Sequence, residues 1–449
     1  MVVPFWRLFQ KSDAFYLLAF FLVIIGLGTA LLMLPLSWVG RPDTSSSLSF
    51  IDAFFTATSA VCVTGLISVD MEGFSRFGDV VILLLIQIGG LGIISFTSIL
   101  LTIPGRRLPL RRLNTIKSFF VDGVEYDPVR IVRSIVFFTF IIEGLGTIFL
   151  SRIFWSAGEE DWLFSALFHS VSAFCNAGFS LYPDSLESLA HNIPLLIVIM
   201  ILIVTGGLGF IVLQDMGRRF KGKSRRLNYH SKIVLWMTAF LIFVFGLFFF
   251  LLERHHVYKS FDPLTAWVNA IFQAVTPRTA GFDAIPQNLL SQPSKAMTIL
   301  LMLIGGSPGS IAGGIKTTTA FVVIMIMLKR PDKNGDITVS RHRLTAGTVN
   351  SAVVYFLKAL ALLLTAILSL SIIEGIRGAN FDEIVFEVFS AFGTVGLSLG
   401  LTPNLSFLGK LILIATMFAG RVGLIALAFP VVKKEGYGIS YPEGSLLLG

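Results

Sequence analysis

The residues best suited to chemistry are four short triplets that each end in glycine. In a membrane, the backbone carbonyl groups of such triplets can replace the hydration shell of a monovalent cation. Glycine is required where a carbonyl must face the central axis of a pore, because the backbone angles involved are closed to residues with a Cβ atom. We therefore predict a cation filter whose ion-binding residues are Val63, Thr64, Gly65, Asn176, Ala177, Gly178, Thr279, Ala280, Gly281, Thr394, Val395 and Gly396.

Each triplet closes one copy of an internal repeat. Segments 55–66, 168–179, 272–282 and 386–397 each begin with Phe and carry Ser or Thr four residues later, and they recur roughly every 110 residues. A lone glycine of this kind would merely end a helix. Four equivalent copies favour a ring of carbonyl groups, and the Thr-Val-Gly run of the fourth copy is typical of K+ filters.

The composition indicates that a lipid bilayer surrounds these triplets. Of the 449 residues, 54% are hydrophobic and only 14% are charged, and the mean hydropathy is +0.81, values far from those of a soluble domain. A helix needs about 20 apolar residues to cross the hydrocarbon core. Eight runs are predicted to do so, the sixth with an interruption: 15–36, 80–104, 131–154, 193–213, 233–252, 296–328, 352–373 and 408–432.

The triplets follow apolar segments that are too short to span. Segment 50–61, for example, has about 11 apolar-rich residues, the length of a re-entrant helix. Two full crossings per repeat give all four repeats one orientation, so they can surround an axis normal to the membrane. We predict an all-α membrane protein with eight transmembrane helices, in which four helix–pore-helix–helix repeats (1–104, 105–217, 218–330 and 331–449) surround a pseudo-fourfold axis, as in potassium channels.

Positive charges indicate which side of the membrane each loop occupies. Loops 104–133, 215–232 and 329–343 together hold 19 of the 35 Lys and Arg residues. The positive-inside rule places these loops in the cytoplasm. This asymmetry accounts for the net charge of +8 without a nucleic-acid partner. It predicts a multi-pass protein of the cell (inner or plasma) membrane with both termini in the cytoplasm.

The interrupted run contains a glycine-rich loop, GGSPGSIAGGIKTTT, at 305–319. Helices broken at this depth line cavities, so we predict a mobile constriction below the filter rather than the static kink that one proline produces. Its counterparts in the other repeats are expected to be continuous, and the glycine pairs in 88–92 and 205–209 to serve helix packing. The predicted gate residues are Gly305, Gly306, Gly309, Gly313, Gly314, Lys316 and Arg421.

Arg421 lies in an apolar run, where an arginine is costly and functional by default. We expect it to repel the permeant ion or to hold the glycine-rich loop by hydrogen bonds. The alternative is a buried ion pair with Glu143, which lies deep in a first helix.

Other polar residues of the apolar segments carry less information. Two cysteines, Cys62 and Cys175, form neither a disulfide framework nor a metal set. A polar position recurs in the pore helices and either hydrogen-bonds behind the filter or faces lipid headgroups: it is occupied by Thr56, His169, Gln273 and Glu387.

The sequence argues against an enzyme. It contains no Walker A run, HExxH motif or serine-nucleophile elbow. A membrane enzyme would need Glu143, His169 and Arg421 to converge, although they lie in different repeats. A rocking symporter of an organic solute would show two large repeats rather than four small ones.

Four motifs carry a resemblance to a known family. NAGF at 176–179, PRTAGF at 277–282, FGTVGL at 392–397 and the loop at 305–319 resemble the Trk/Ktr/HKT superfamily of potassium transporters, and within it the KtrB-type bacterial subunit. The resemblance implies potassium uptake, often sodium-dependent, by a homodimer of two separate pores on a cytoplasmic ring of nucleotide-binding, RCK-type regulatory subunits. It implies no covalently bound cofactor, K+ as the permeant ion and Na+ as a candidate activator. The alternative is a secondary symporter of another monovalent cation such as Na+.

Overall fold

The structure is a computed structural model that describes residues 13–40, 47–102, 128–222, 224, 226–332, 335–339 and 342–423. Predictions about most of loop 104–133 and about the segment after residue 423 lie outside these residues. The described α-helices are α1 (Asp13–Leu32), α2 (Phe50–Cys62), α3 (Arg76–Thr102), α4 (Pro128–Ser156), α5 (Trp162–Phe174), α6 (Ile193–Leu208), α7 (Phe210–Phe220), α8 (Tyr229–Glu253), α9 (Pro263–Val275), α10 (Gln292–Leu303), α11 (Thr317–Leu328), α12 (Ala346–Glu374), α13 (Phe381–Gly393) and α14 (Phe407–Phe418). Strands β1 (Ile337–Val339) and β2 (His342–Leu344) form an antiparallel hairpin between α11 and α12.

The helices follow the same order four times: a long first helix, a short pore helix and a second helix. The four units are α1–α3, α4–α7, α8–α11 and α12–α14. The pore helices α2, α5, α9 and α13 contain 13 residues each, or about 20 Å of helix. They are too short for a hydrocarbon core of roughly 30 Å. Each therefore stops inside the membrane, as its sequence predicts.

The long helices have the length and composition of membrane spans. Within the described residues, three are long and apolar enough by themselves: Val132–Ser156, Tyr229–Glu253 and Ala346–Arg377. The pair formed by α6 and α7, which is bent by 103°, adds a fourth only if the two helices are counted together as one broken span. Helices α1 and α3, with 20 and 27 residues, also have sufficient length. The fold is that of an all-α membrane protein.

Local signals start and stop the pore helices. The Asp262 carboxylate accepts hydrogen bonds from first-turn amides of α9 at 3.1 and 3.2 Å, and the Ser49 hydroxyl accepts one from α2 at 3.2 Å. These contacts satisfy amides that the first turn of a helix leaves free. At their inner ends, α2 and α13 stop at Val63 and Thr394, which adopt the left-handed conformation. The chain then turns directly into a triplet.

Two of the second helices are interrupted. In the third unit the break falls between Leu303 and Thr317, as the glycine-rich loop predicts. In the second unit the chain bends by 103° between α6 and α7 at Gly209, whose φ is +83°. The prediction of a continuous helix over 193–213 is therefore wrong. A left-handed φ is compatible with glycine but not with a continuing helix, so the helical hydrogen bonding ends there.

Ion pairs link the second helix of one unit to the pore helix of the next. Arg76 at the start of α3 pairs with Asp161, which precedes α5. The Lys410 Nζ atom of α14 lies 2.6 Å from the Asp52 carboxylate of α2. This second pair joins the fourth unit to the first, and both of its side chains are largely buried. The four units therefore close into a ring.

Candidate functional site

The backbone of the four triplets has an uncommon conformation. Outside glycine, only five described residues have a positive φ, and four of them are the first residues of the triplets. Non-glycine residues rarely adopt this region, so its fourfold recurrence is not accidental. The φ angles of the first and third residues are +56° and +92° (Val63, Gly65), +58° and +70° (Asn176, Gly178), +71° and +77° (Thr279, Gly281), and +50° and +99° (Thr394, Gly396).

This alternation decides where the carbonyl groups point. In an extended strand, successive carbonyls point to opposite sides. When every second residue takes the left-handed conformation, the peptide planes turn and successive carbonyls point to the same side. Each triplet therefore presents a column of carbonyl oxygens on one face, the arrangement that can replace the water around a cation.

The four glycines meet one another around a single axis. A Cβ atom added to Gly178 would lie 2.8 Å from the carbonyl oxygen of Ala280 and 2.8 Å from the Cα atom of Gly281. The same atom on Gly65 would collide with the carbonyl oxygen of Ala177. A Cβ atom added to Gly281 would collide with the carbonyl oxygen of Val395, and one added to Gly396 would collide with the carbonyl oxygen of Thr64. The glycines thus face the middle residue of the next unit in cyclic order, in a space that admits no side chain.

A hydroxyl group at one repeated position anchors each triplet to its pore helix. This is the Ser or Thr found four residues after the repeated Phe, a position whose role the sequence did not reveal. In two units the hydroxyl accepts from the triplet glycine, and in the other two it donates to the carbonyl after that glycine. The contacts are Gly65 N to Ser59 Oγ (3.0 Å), Gly396 N to Ser390 Oγ (3.1 Å), Ser172 Oγ to Phe179 O (2.7 Å) and Thr276 Oγ1 to Phe282 O (2.7 Å).

The recurring polar position of the pore helices lies behind the triplets. His169 Nε2 lies 3.0 Å from the Ser180 hydroxyl, and Gln273 donates to the Gln287 side chain at 2.8 Å. Glu387 accepts from Thr402 at 2.8 Å and from Ser398. All of these partners follow a triplet in the chain. The hydrogen-bonding alternative is therefore confirmed for three units, whereas the Thr56 hydroxyl has no hydrogen-bond partner among the described residues.

The glycine-rich loop lies directly beneath the third and fourth triplets. A Cβ atom on Gly313 would collide with the side chain of Thr394, and one on Gly305 would lie 3.3 Å from Cγ2 of Thr279. The two ends of the loop are held together, since Gly305 N donates to Ile315 O at 2.8 Å. Lys316, which is partly exposed, donates to the carbonyl of Ala312 within the same loop at 2.5 Å. Contacts this close to the triplets leave little free space between the loop and the ring.

The bend between α6 and α7 binds the other side of this loop. Ser307 N donates to Gly207 O at 2.9 Å, and Phe210 N donates to Gly309 O at 3.1 Å. These bonds use backbone groups that a continuous helix would have paired internally. The expectation that the glycines at 205–209 serve helix packing alone is therefore wrong. They also free the backbone groups that hold the loop.

Arg421 binds the loop from a third direction. Its guanidinium donates to Ile311 O of the loop and, at 3.1 Å, to Gly89 O of α3. The side chain is 3% exposed and belongs to a π-helical turn, Ala419–Gly423, that follows α14. The alternative ion pair with Glu143 is wrong. The Glu143 carboxylate accepts instead from Gln87 at 3.2 Å and contacts the Cys175 thiol at 3.7 Å.

A match to a known family accompanies this geometry. Residues 10–436 match the family model described as "TrkH: Cation transport protein". The chain belongs to the TrkH family of cation transport proteins. It is 38% identical over 442 residues to the Ktr system potassium uptake protein B of Bacillus subtilis, covering 96% of this chain and 95% of that one.

Other relatives agree with this TrkH-family membership, and one solved structure has a similar fold. The chain is 38% identical to the Ktr system potassium uptake protein B of Vibrio alginolyticus, covering 90% and 89% of the two chains. It is 36% identical to the potassium/sodium uptake protein NtpJ of Enterococcus hirae, covering 96% and 95%. The crystal structure of the potassium transporter TrkH from Vibrio parahaemolyticus shares the fold, with a TM-score of 0.71 over 93% of this chain and 85% of that chain, at 21% identity.

The three residues of the enzyme hypothesis have separate partners in this TrkH-family chain. Glu143 contacts Gln87, His169 contacts Ser180, and Arg421 contacts the glycine-rich loop. In the part of the chain that the structure describes, no hydrogen bond or ion pair joins any two of these three residues. The family is one of cation transport proteins.

Sequence reasoning missed one buried arginine of the third unit. Arg278 immediately precedes its triplet, as Cys62 and Cys175 do in the first two units. It is 7% exposed, and its guanidinium lies 3.5 Å from the Thr238 hydroxyl of α8. The signal was available, because an arginine inside an apolar segment is costly and therefore informative.

Proposed function

We propose that this chain is the membrane-embedded, ion-translocating subunit of a potassium uptake system. The observation that carries the proposal is the closed ring of four triplets with alternating φ angles. Such a ring supplies fixed carbonyl oxygens to a dehydrated monovalent cation. Potassium is the ion because two relatives, each 38% identical over 90% or more of this chain, are named for potassium uptake. The twelve triplet residues are its proposed ligands, through their backbone.

The pore helices add to the attraction of cations. Each helix directs its C-terminal end toward the ring, and this end carries the negative part of the helix dipole. Four such ends favour a cation without any ring of carboxylates. With one glycine per unit, the filter holds fewer ion sites than a long potassium-channel signature would.

The glycine-rich loop is the proposed gate. It lies against the triplets and is held by Arg421 and by the bend at Gly209. The proposed gate residues are Gly305, Gly306, Gly309, Gly313, Gly314, Lys316 and Arg421. Backbone hydrogen bonds to a loop are individually worth about 0.5–1.5 kcal/mol, so a few of them hold it in place yet allow it to be released.

The same proposal extends to partners and location. The names of the two Ktr relatives speak of a system, which supports at least one further component. In this proposal the chain forms a homodimer on a cytoplasmic RCK-type regulatory ring. The chain would lie in the plasma or inner membrane with both termini in the cytoplasm, since three basic loops share one side. The name of NtpJ, a potassium/sodium uptake protein, includes sodium. This supports sodium as an activator or, in the alternative function, as the transported ion.

Rubidium uptake by potassium-starved cells tests the function. The cells lack their own uptake systems and express this chain with its regulator. We expect rubidium uptake that excess potassium suppresses and excess sodium does not. Uptake of sodium that is insensitive to potassium would favour the sodium symporter, and the absence of any cation uptake by a correctly inserted protein would refute both.

A further inference from the structure

Helix α7 changes direction sharply from the helix that precedes it. It leaves α6 at an angle of 103°, so it runs nearly parallel to the membrane if α6 runs along the membrane normal. Its sequence, FIVLQDMGRRF, begins apolar and ends basic. The N-terminal residues Phe210, Ile211 and Val212 are buried, whereas Arg218 and Arg219 in the last turn are exposed.

The depth of α7 can be worked out from the length of α6. Helix α6 contains 16 residues, which span about 24 Å of a hydrocarbon core that is roughly 30 Å thick. If α6 starts at the outer boundary of the core and runs along the membrane normal, α7 begins about 6 Å from the inner boundary. Surface-lying amphipathic helices occupy this depth, about 5–10 Å below the headgroups.

The exposed end of α7 has the chemistry of a membrane anchor. Phe220 is 84% exposed and is flanked by Arg219 and Lys221, both also exposed. A phenylalanine in this position would be unfavourable in water but favourable among acyl chains. Arg218, Arg219 and Lys221 form no ion pair with any residue that the structure describes. The cytoplasmic leaflet carries the complementary negative charge.

The other end of α7 contacts the proposed gate. Phe210 N donates to the carbonyl of Gly309, and Gly209 lies against the carbonyl of Pro308. The Phe210 ring also packs on Phe138 of α4 at 6.0 Å between centroids. A change in the tilt of α7 therefore acts on the gate loop through one short, well-anchored connection.

We propose that α7 lies in the cytoplasmic membrane interface, that Arg218, Arg219 and Lys221 bind the phosphate groups of anionic lipids, and that this binding holds the gate loop closed. The lipid-binding part stands on the position and charge of α7 alone. The gating part rests on the proposed function. Positive charge that served topology alone would need neither the bend at Gly209 nor the exposed Phe220.

Lipid binding is measured first, on the purified chain and independently of ion transport. The full chain is purified in detergent, and retained phosphatidylglycerol is counted by native mass spectrometry. Each basic residue near an anionic surface contributes about fivefold to affinity, so the double variant Arg218→Gln, Arg219→Gln should bind about 25-fold more weakly. The charge-preserving double Lys variant should retain the lipid. Arg330→Gln, at an exposed basic residue of another loop, is the matched control.

Rubidium flux then tests the coupling. The chain is reconstituted without a regulator in vesicles of phosphatidylcholine alone, or with part of it replaced by phosphatidylglycerol. The parent chain should carry several-fold more rubidium in vesicles of phosphatidylcholine alone than in vesicles that contain phosphatidylglycerol. The double Gln variant should carry rubidium at this higher rate in both kinds of vesicle. The Arg330→Gln variant should behave as the parent does.

Several outcomes would overturn the proposal. Unchanged lipid retention in the double Gln variant would do so, as would an equal loss in the Arg330→Gln control. If the variant instead stopped co-purifying with the regulatory subunit while its lipid response persisted, the surface would be a protein docking site. A parent that conducts no rubidium would refute the proposed function, whereas the lipid counts would still decide whether α7 binds anionic lipid.

Discussion

The replacement of Gly396 by Ala tests the ring of triplets most directly. Gly396 has a φ of +99°, and an added Cβ atom would collide with the carbonyl oxygen of Thr64 and lie 3.0 Å from the Cα atom of Gly65. Both are backbone atoms, so no side chain can rotate away. The left-handed conformation alone costs an alanine about 1–2 kcal/mol. The collision additionally displaces the Thr64 carbonyl, a proposed ion ligand.

Gly400 offers a matched control in the same unit. Its φ of +100° is nearly identical, but an added Cβ atom would have no neighbour within 4 Å. Gly400→Ala therefore has the same backbone cost without the collision. Any difference between the two variants reports on the ring and not on backbone strain.

The assay compares rubidium and radioactive sodium uptake in potassium-starved cells, normalised to protein in the membrane. We expect Gly396→Ala to lower the ratio of rubidium to sodium uptake about tenfold, which corresponds to about 1.4 kcal/mol. A displaced carbonyl coordinates K+ less well and so discriminates less. Gly400→Ala should keep the parental ratio. An unchanged ratio in Gly396→Ala, or an equal loss in Gly400→Ala, would refute the reasoning.

Three further predictions address the gate, the anchoring hydroxyls and the outer surface. Arg421→Gln removes the hydrogen bond from the guanidinium to Ile311 O of the glycine-rich loop and the one to Gly89 O of α3. It should raise regulator-free rubidium flux several-fold; flux equal to the parent's would contradict this. Ser390→Ala leaves the Gly396 amide without its acceptor, at a cost of about 1–3 kcal/mol. It should lower the rubidium-to-sodium ratio, whereas Ser390→Thr should preserve it, and equal ratios in the two variants would count against an anchoring role. Burial, and then the charge of Asp184, raises the pKa of Glu187 from its usual 4.5 to about 7. Because the folded-state pKa is the higher one, this carboxyl destabilises the fold as the pH rises from about 4.5 through about 7; Glu187→Gln should therefore raise the melting temperature more at about pH 8 than at about pH 5, and equal shifts would disprove it.

The sequence alone was sufficient for the architecture. Repetition of the Phe-to-Gly segments, together with eight apolar runs, predicted four helix–pore-helix–helix units, and the helices follow that order. Such features are local. The length of an apolar run decides whether a helix can cross a bilayer, and a capping residue such as Asp262 acts on the helix that starts immediately after it.

The sequence could not show which backbone groups would pair across units. The glycines at 205–209 looked like packing residues, and only the bend at Gly209 turned them into partners of the glycine-rich loop. Likewise, Arg421 had two candidate partners, and its contact with Ile311 rather than Glu143 depends on how a π-helical turn orients the side chain. Contacts of this kind join residues about a hundred or more positions apart, and no local preference encodes them.

The features that the sequence determined and those that only the tertiary structure decided differ in the length scale of the forces involved. Helix length and the need for glycine depend on composition and on neighbours within a turn or two, so the sequence by itself determined them. The closure of the ring through Lys410 and Asp52, the same-side alignment of the carbonyls and the position of the loop beneath Thr394 required all four units to meet around one axis. Only the tertiary structure decided these contacts, because each depends on the shape that the other three units leave free.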